Sequence, residues 1–221
     1  MIKNNKLKIV ISSVIILLPI FAGLILWNKL PDTMAVHWGA DNTANGFASK
    51  AFAVFFMPAF LVIIHLLCIF LTSFDKKQQN QNKKALNMVF WIIPVISLFT
   101  NGIMYSVALG RDVSIASLTP ALIGTMLIFV GNYLPKVKQN STIGIKIYWT
   151  LRNEENWNKT HRLAGRLWVI CGLVIILSVF LPNQFMLMAP VLVLILAVLI
   201  PFLYSYSIYK KHKGKGIEYK K

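Results

Sequence analysis

Residues 9–27 read IVISSVIILLPIFAGLILW and contain no Asp, Glu, Lys or Arg. An α-helix needs about 20 predominantly apolar residues to cross the roughly 30 Å hydrocarbon core of a bilayer. Five further apolar stretches follow along the chain, at residues 51–74, 86–109, 115–134, 163–181 and 185–209. The sequence therefore predicts an all-α protein, a polytopic membrane bundle of six transmembrane helices.

The fifth stretch is the weakest of the six. Its uncharged part, 167–181, is shorter than the minimum of about 17 residues for a spanning helix, and Arg166 lies at its entrance. We therefore expect this helix to begin near Leu163 or to include part of the polar segment before it.

The composition disfavours several classes of protein. Apolar residues make up 57% of the chain and charged residues only 14%, whereas a soluble domain carries about 25% charged residues. The net charge of +16 comes from short basic segments between apolar ones, not from a basic surface around a polar-coated core. A soluble enzyme and a nucleic-acid-binding protein are therefore disfavoured. Cys68 and Cys171 lie in apolar stretches, without a disulfide framework.

The basic residues are distributed unevenly between the two sides that six spans define. If the N-terminus is cytoplasmic, 20 of the 23 Lys and Arg residues fall on the cytoplasmic side, and the positive-inside rule then predicts that both termini are cytoplasmic. The outer exceptions are Lys29, Lys50 and Arg111. We divide the chain into an N-terminal half at 1–110, a C-terminal half at 111–209 and a basic cytoplasmic tail at 210–221, with a basic connector at 75–84.

Polar residues inside the spans bear on transport. Ion-coupled transporters and pumps usually carry ionisable groups in the membrane, but the interior candidates here are His65, Asn101 and Asn132, which we interpret as interhelical contacts. A small transporter or a lipid-handling protein for a neutral or amphipathic substrate stays open as an alternative. Proline-induced kinks would create grooves for such a substrate, and the prolines within spans are Pro19, Pro58, Pro94, Pro120, Pro190 and Pro201.

The first outer loop, residues 28–50, reads NKLPDTMAVHWGADNTANGFASK and is far longer than a helix hairpin requires. Asn45-Gly46 favours a tight turn with positive φ. His37 and Asp41 would supply only two metal ligands, so we predict no metal site. We expect a compact loop on the membrane surface, with Trp38 at the interface and His37 in solvent. The candidates for a recognition role are Pro31, His37, Trp38, Gly39, Asn45, Gly46, Phe47 and Lys50.

The inner segment, residues 136–166, reads KVKQNSTIGIKIYWTLRNEENWNKTHRLAGR. Apolar side chains alternate from Ile143 to Trp149, which is typical of an extended segment with one apolar face. Asn153 is a plausible helix N-cap, and acidic residues follow it in the first turn. From there a helical period places four side chains in one stripe, namely Trp157, His161, Ala164 and Trp168, with Lys159, Arg162 and Arg166 on the opposite side.

This amphipathic helix, which leads into the fifth span, allows two interpretations. It lies on the membrane with a basic face, or it forms a docking surface for a cytoplasmic protein with Trp157 or His161 as the anchor. The two are compatible. The candidates for this docking or interface segment are Asn132, Asn140, Gly144, Lys146, Trp149, Thr150, Trp157, Lys159, His161 and Arg162.

Both polar segments resemble the SdpI family, which is named after the immunity protein to the SdpC killing peptide. The outer loop is similar to the family's N-terminal segment, in which an LP pair precedes a Trp-Gly turn and a Lys that leads into the next helix. The inner segment resembles the family's C-terminal signature at Gly131-Asn132, Pro135-Lys136, Asn140, Ile143-Gly144-Ile145-Lys146, Trp149-Thr150-Leu151, Trp157, Lys159-Thr160-His161-Arg162 and Gly165.

The resemblance implies a multi-span bacterial protein that performs no catalysis, needs no cofactor and protects its host from a hydrophobic, membrane-active peptide toxin. For the founding member it also implies signalling, in which the toxin-engaged membrane protein sequesters a cytoplasmic transcriptional repressor. The basic flanks favour anionic lipids as further partners, and no direct contact with nucleic acid is expected.

Overall fold

A computed structural model describes residues 2–39, 41–75, 81–217 and 219. Within these residues, six helices are long and apolar enough to cross a membrane, and they correspond to the six predicted stretches. The protein is therefore a multi-pass membrane protein. Of the predicted basic connector and tail, residues 76–80, 218, 220 and 221 lie outside the described residues.

The helices and strands follow one another with short connections. A 3₁₀ turn at Lys3–Asn5 leads into the first helix, a π-helical turn at Phe52–Phe56 leads into the second, and a 3₁₀ turn at Leu134–Lys136 follows the fourth. The elements are α1 (Lys6–Ile25), β1 (Thr33–Trp38), β2 (Ala44–Ser49), α2 (Met57–Ser73), α3 (Lys83–Ala108), α4 (Ile115–Tyr133), α5 (Tyr148–Arg152), α6 (Glu154–Ser178) and α7 (Asn183–Gly214).

Helix α6 shows how the weak fifth span becomes long enough to cross a membrane. It is one continuous helix of 25 residues that contains both the amphipathic segment and the apolar stretch. Asn153 is its N-cap, as expected, because the Asn153 side chain accepts a 2.8 Å hydrogen bond from the Asn156 N–H. The span therefore includes the polar turn before it.

The prediction of a purely helical fold is wrong in the outer loop, where β1 and β2 form an antiparallel hairpin. The turn also lies elsewhere than expected. Asn45 and Gly46 are inside β2, and the residue with positive φ is Asn42, at +65°. Alternating side chains of β1, namely Met34, Val36 and Trp38, cover an apolar core, and this burial fixes which face of β1 points inward.

The described chain forms two compact units. The first comprises Met1–Ser73 and Asn87–Leu118, and the second comprises Phe74–Leu86 and Thr119–Lys221. The sequence division at residue 110 stays a prediction.

Polar side chains in the first unit bond to backbone carbonyls of α1 around its internal proline. The Ser97 hydroxyl donates to the Ile16 carbonyl at 2.9 Å, and the Tyr105 hydroxyl donates to the Pro19 carbonyl at 2.8 Å. Both bonds are buried. The carbonyl that loses its helical donor to Pro19 is that of Ile15, so these two bonds do not replace the lost one but join α1 to α3.

The three polar residues predicted as interhelical contacts have different surroundings. His65 on α2 is buried, and its Nε2 lies 2.7 Å from the Ser12 hydroxyl on α1, so His65 does join two helices. The Asn101 amide instead donates to the Ser97 carbonyl one turn earlier on its own helix. Asn132 is exposed.

Helices α4 and α6 of the second unit approach closely through two pairs of glycines. A Cβ added at Gly124 would lie 2.5 Å from the Gly172 carbonyl oxygen, and one added at Gly131 would lie 2.8 Å from the Gly165 carbonyl oxygen. The spacing is seven residues on each helix. Small residues allow this approach of two backbones in a membrane, where van der Waals packing replaces the hydrophobic effect.

Replacing Gly172 by Leu should destabilise the protein, because the side chain would collide with the Gly124 carbonyl and with Ile128. Overpacking typically costs about 1–3 kcal/mol. We expect a lower melting temperature and less monodisperse protein in detergent. Gly102→Leu is the matched control, since nothing lies within 4 Å of a Cβ at this helical position. Equal behaviour of the two variants would contradict the role of the glycine pairs.

Candidate functional site

The outer hairpin is the first candidate site. Its register pairs Ala35 with Phe47 and His37 with Gly46, with irregularities on either side of His37. His37 Nδ1 donates to Asn45 Oδ1 at 2.6 Å, so the expectation of a merely solvated imidazole is incomplete. A Cβ at Gly46 would lie 2.8 Å from the His37 Cβ. The glycine therefore makes room for His37 rather than for a turn.

Lys50 fixes the base of the hairpin. Its side chain is only 13% exposed and forms a 3.1 Å ion pair with Asp32. The ammonium also donates to the Trp27 carbonyl at 3.2 Å and lies 5.2 Å from the Trp27 ring centroid. A cation beside a carbonyl just beyond the C-terminus of α1 is stabilised by the helix dipole. Lys50 thus joins the hairpin to α1, while Pro31 is exposed beside this contact.

An apolar core lies under the hairpin. Leu30, Met34, Val54, Met104 and Tyr105 are buried members of this core, which draws on the chain before the hairpin, the first strand, the π-helical turn and α3. Trp38 packs against the core and is half-buried, so part of its ring is used inside the protein. The outer loop is therefore a folded part of the first unit.

The tip of the hairpin caps another helix. Asn42 Oδ1 accepts hydrogen bonds from the N–H groups of Ile115 at 2.7 Å and Ala116 at 3.1 Å, which open α4. Beside it, hydrogen bonds from the Thr43 hydroxyl and N–H lower the pKa of the exposed Asp41 carboxyl. An asparagine at positive φ thus satisfies orphan donors of a helix that lies over 70 residues away in sequence.

A row of exposed phenylalanines begins where the hairpin ends. The Phe52 and Phe56 rings stack with centroids 4.4 Å apart, and the Phe56 and Phe60 rings stack at 5.8 Å. We call Phe52, Phe56 and Phe60 the aromatic strip. It begins in the π-helical turn, an element that is frequent at functional sites. Phe47 on β2 is 60% exposed.

The inner segment is the second candidate site, and Asn140 organises its first loop. Its amide oxygen accepts the N–H groups of Thr142 and Ile143, and its amide nitrogen donates to the carbonyls of Lys138 and Ile143, all within 2.9 Å. The side chain is buried. The Asn140 side chain therefore supplies the hydrogen bonds that this backbone would otherwise form in a helix or a sheet.

Trp157 and His161 hold the next part of the segment against α6. The Trp157 indole donates to the Val137 carbonyl at 2.8 Å. His161 Nε2 accepts the Ile145 N–H at 2.9 Å, so its Nδ1 carries the proton that bonds to the Trp157 carbonyl. Gly144 has φ of +116°, and a Cβ there would collide with both rings. Extended alternation through 143–149 is thus interrupted at Gly144.

The buried positions of Trp157 and His161 bear on the docking hypothesis. Their exposed fractions are 0% and 1%, and their neighbours belong to this chain. Neither side chain is available as an anchor, so a docking surface must use other residues. Lys146, Lys159 and Arg162 are exposed on this segment.

Thr150 and Trp149 belong to α5 rather than to an extended strand. The buried Thr150 hydroxyl accepts the Ile147 N–H at 3.1 Å and lies 2.7 Å from the Ile145 carbonyl, which closes the turn into α5. The Trp149 ring packs at 5.1–5.8 Å against three aromatic rings of α7, those of Phe202, Tyr206 and Tyr209.

Asn156 connects α6 to α7 by using its full hydrogen-bonding capacity. Its amide nitrogen donates to the Ser205 carbonyl and to the Tyr219 hydroxyl, and its oxygen accepts from the hydroxyls of Thr160 and Ser205. Burial raises the pKa of the Tyr219 phenol. The fully buried amide thereby fixes the position of α7 beside α6.

The described residues contain no group of three or more His, Cys, Asp or Glu side chains that could hold a metal ion. His37 and Asp41, the pair considered from the sequence, instead bond to Asn45 and Thr43, respectively.

Residues 136–205, which contain the buried Trp157 and His161, match the SdpI/YfhL protein family. Residues 14–62, which contain the hairpin, match a domain of unknown function, DUF1648. The chain is also similar to Immunity protein SdpI of Bacillus subtilis (strain 168), with 29% identity over 211 residues, or 94% of this chain and 98% of that protein. The chain is therefore similar to the SdpI family, through the family model in its C-terminal part and through Immunity protein SdpI over nearly its full length. No solved structure matches it.

Sequence reasoning missed several residues that organise this structure. Asn42 stood one position from Asp41 in a turn-rich stretch, and Asn is the residue that most readily adopts positive φ apart from Gly. The seven-residue spacing of glycines was visible on both α4 and α6. Asn156 gave no signal, because an asparagine in the first turn of a helix is normally solvated.

Gly144→Ala should destabilise the protein more than Gly216→Ala does, because it acts on the inner segment. Both glycines have positive φ, which costs an L-residue about 1–2 kcal/mol. Only at Gly144 does the new methyl group collide with Trp157 and His161, and nothing lies near Gly216. We expect a larger fall in melting temperature and a changed tryptophan emission for Gly144→Ala. Equal falls would show that the contact is unimportant.

Asn42→Ala should uncap α4, because it removes the acceptor of two helix N–H groups. Loss of an N-cap costs about 1 kcal/mol, so the amides of Ile115 and Ala116 should exchange roughly fivefold faster. Hydrogen exchange with mass spectrometry measures this. Asn42→Asp keeps an acceptor oxygen and should exchange like the wild type. Unchanged exchange in the alanine variant would contradict the cap.

Proposed function

We propose that this protein is a bacterial plasma-membrane immunity protein that protects its host from a hydrophobic, membrane-active peptide toxin. The observation that carries the proposal is its similarity to Immunity protein SdpI over nearly the full length of both chains. The architecture supports it. A protein with six spans and binding surfaces on described loops can intercept a peptide by binding alone, so no reaction is required.

The proposed orientation places both termini in the cytoplasm. It is supported by the positive-inside distribution, in which 20 of 23 Lys and Arg residues share one side, and by the even number of spans. In this orientation the hairpin is extracytoplasmic, where an incoming toxin arrives, and the inner segment is cytoplasmic.

The toxin would bind at the hairpin and the aromatic strip. A membrane-active peptide is amphipathic, so its receptor needs an apolar surface beside polar groups. Phe47 and the aromatic strip offer exposed rings, and His37 and Asn45 offer a polar edge on the same hairpin. The apolar core and Lys50 hold this surface in place, so little conformational entropy is lost on binding. Aromatic side chains dominate the energetics of such interfaces.

The inner segment would report toxin binding to a cytoplasmic transcriptional repressor by sequestering it at the membrane. Its backbone is fixed by buried groups such as Asn140, Trp157 and His161. The same fold exposes Lys146, Lys159 and Arg162 for contact with a partner or with anionic lipid. A docking surface here is therefore basic.

Expression of the protein should raise the survival of a toxin-sensitive bacterium challenged with the SdpC killing peptide. The double variant Phe47→Ala/Phe56→Ala should protect less well, because it removes two exposed rings and leaves the buried core intact. The toxin concentration that the cells survive should fall about tenfold. Survival across a toxin dilution series is the measurement, at membrane abundance matched by immunoblot.

Phe180→Ala is the matched control, since Phe180 is 82% exposed and belongs to neither the hairpin nor the aromatic strip. It should protect like the wild type. Unchanged killing in cells with wild-type protein in the membrane would contradict the immunity proposal. Full protection by the double variant would instead exclude the proposed toxin surface.

A further inference from the structure

A cavity of about 380 Å³ lies between the start of α6 and the end of α7. It opens at the protein surface and is separate from the hairpin and from the Trp157 contacts. Its lining is chemically mixed, with basic side chains, hydroxyl groups and apolar side chains. The lining residues on which the inference depends are Glu155, Lys159, Tyr204, Ser207, Lys211 and Lys215.

The charge of this cavity is positive. Glu155 is its acidic residue, and its carboxylate binds Lys159 and lies 3.5 Å from Nε2 of His212, which also lines the cavity. Lys211 and Lys215 are exposed, and neither forms an ion pair with a carboxylate of the described residues. Lys215 does contribute to the lowered pKa of Glu155, whose carboxylate already binds Lys159. One carboxylate of the lining thus faces the ammonium groups of Lys159, Lys211 and Lys215, so the cavity has excess positive charge and suits an anion.

An apolar stripe on the surface of α7 leads to the cavity. At about 100° per residue, Ile200, Tyr204, Ser207 and Lys211 lie within a stripe of roughly 60°. Ile200 and Tyr204 are 38% and 37% exposed. Along this stripe the helix surface changes from apolar, through two hydroxyl groups, to basic, which is the order of chemistry along a phospholipid from acyl chain to headgroup.

A cluster of Trp149, Tyr206 and Tyr209 at the same turns of α7 indicates the depth of the cavity in the membrane. Trp149 contacts Tyr206 and Tyr209, which lie on the opposite face of α7 at the level of Ser207 and Ile208. Trp and Tyr are enriched where a membrane protein meets the headgroup layer. The cavity is therefore at the level where a lipid phosphate resides.

We propose that this cavity is a binding site for the phosphate headgroup of an anionic phospholipid, with an acyl chain lying along Ile200 and Tyr204. Lys211 and Lys215 pair with the phosphate, and the Tyr204 hydroxyl donates to one of its oxygens. The Ser207 hydroxyl, which donates to the Tyr204 carbonyl at 2.7 Å, adds a polar surface to the lining. The site differs from general attraction of a basic surface to a membrane, because it assigns the effect to Lys211 in the last turn of α7 and to Lys215 just after its end. It does not depend on the toxin or on the repressor.

Native mass spectrometry of the purified full-length protein in a neutral detergent tests the site, with phosphatidylglycerol and phosphatidylcholine as probes. Such a detergent carries no anionic surface, so diffuse attraction is absent. We expect phosphatidylglycerol to bind more tightly than phosphatidylcholine. The double variant Lys211→Gln/Lys215→Gln should lower the affinity for phosphatidylglycerol about tenfold.

The matched control is Lys210→Gln/Lys213→Gln, which removes the same charge from exposed positions of α7 that do not line the cavity. It should change the affinity by less than about twofold. Melting curves of both variants in phosphatidylcholine detect misfolding, and equal melting temperatures validate the comparison. If one variant melts lower, Lys211→Arg/Lys215→Arg, which keeps both charges, should restore binding.

Three results would overturn the proposal. Equal losses of phosphatidylglycerol affinity in the two double variants would show that binding depends only on net charge. Equal binding of phosphatidylglycerol and phosphatidylcholine would remove the role of the anionic headgroup. Displacement of phosphatidylglycerol by millimolar inorganic phosphate, with equal protection against melting by phosphate alone, would assign the cavity to a free anion instead of a lipid.

Discussion

A buried backbone group in a membrane protein has no water to bond with, and the architecture of this chain depends on meeting that constraint with side chains. In the second unit, the helical donor to the Ala197 carbonyl would be residue 201, but Pro201 has no N–H, and the Trp168 indole donates to this carbonyl at 2.9 Å instead. In the first unit, the Ile16 and Pro19 carbonyls of α1 receive the hydroxyls of Ser97 and Tyr105 of α3. An unsatisfied group in such surroundings costs several kcal/mol, so these contacts determine which helices are neighbours.

The same requirement extends to the polar segments. Asn42 supplies the acceptor for the first amides of α4, Asn140 replaces the partners of an irregular loop, and His161 accepts one backbone N–H while donating to one carbonyl. These polar side chains act as hydrogen-bonding partners of the backbone. Because they fix the backbone, the exposed side chains nearby form surfaces of constant shape.

The sequence predicted the parts of this fold that follow from the bilayer and from helical periodicity. Six apolar stretches of sufficient length specified the spans, and the stripe from Trp157 to Trp168 specified the buried side of α6. The hairpin could not be derived in the same way, because its strands are short and its turn depends on Asn42, whose partners are distant in sequence. The anchor role of Trp157 was misjudged for a related reason. Periodicity shows that a face is apolar, but not whether lipid, a partner or the chain itself covers it.

The paired glycines of α4 and α6 have a consequence for recognising distant relatives. In each pair, the Cα of one glycine lies so close to the carbonyl of the other that a methyl group would not fit. Geometry therefore constrains Gly124, Gly131, Gly165 and Gly172, independently of any ligand. Exposed side chains can change without affecting this contact, whereas the four glycines cannot. Two helices that each carry glycines seven positions apart therefore form a search pattern that does not depend on loop similarity, and it would identify proteins that share this scaffold.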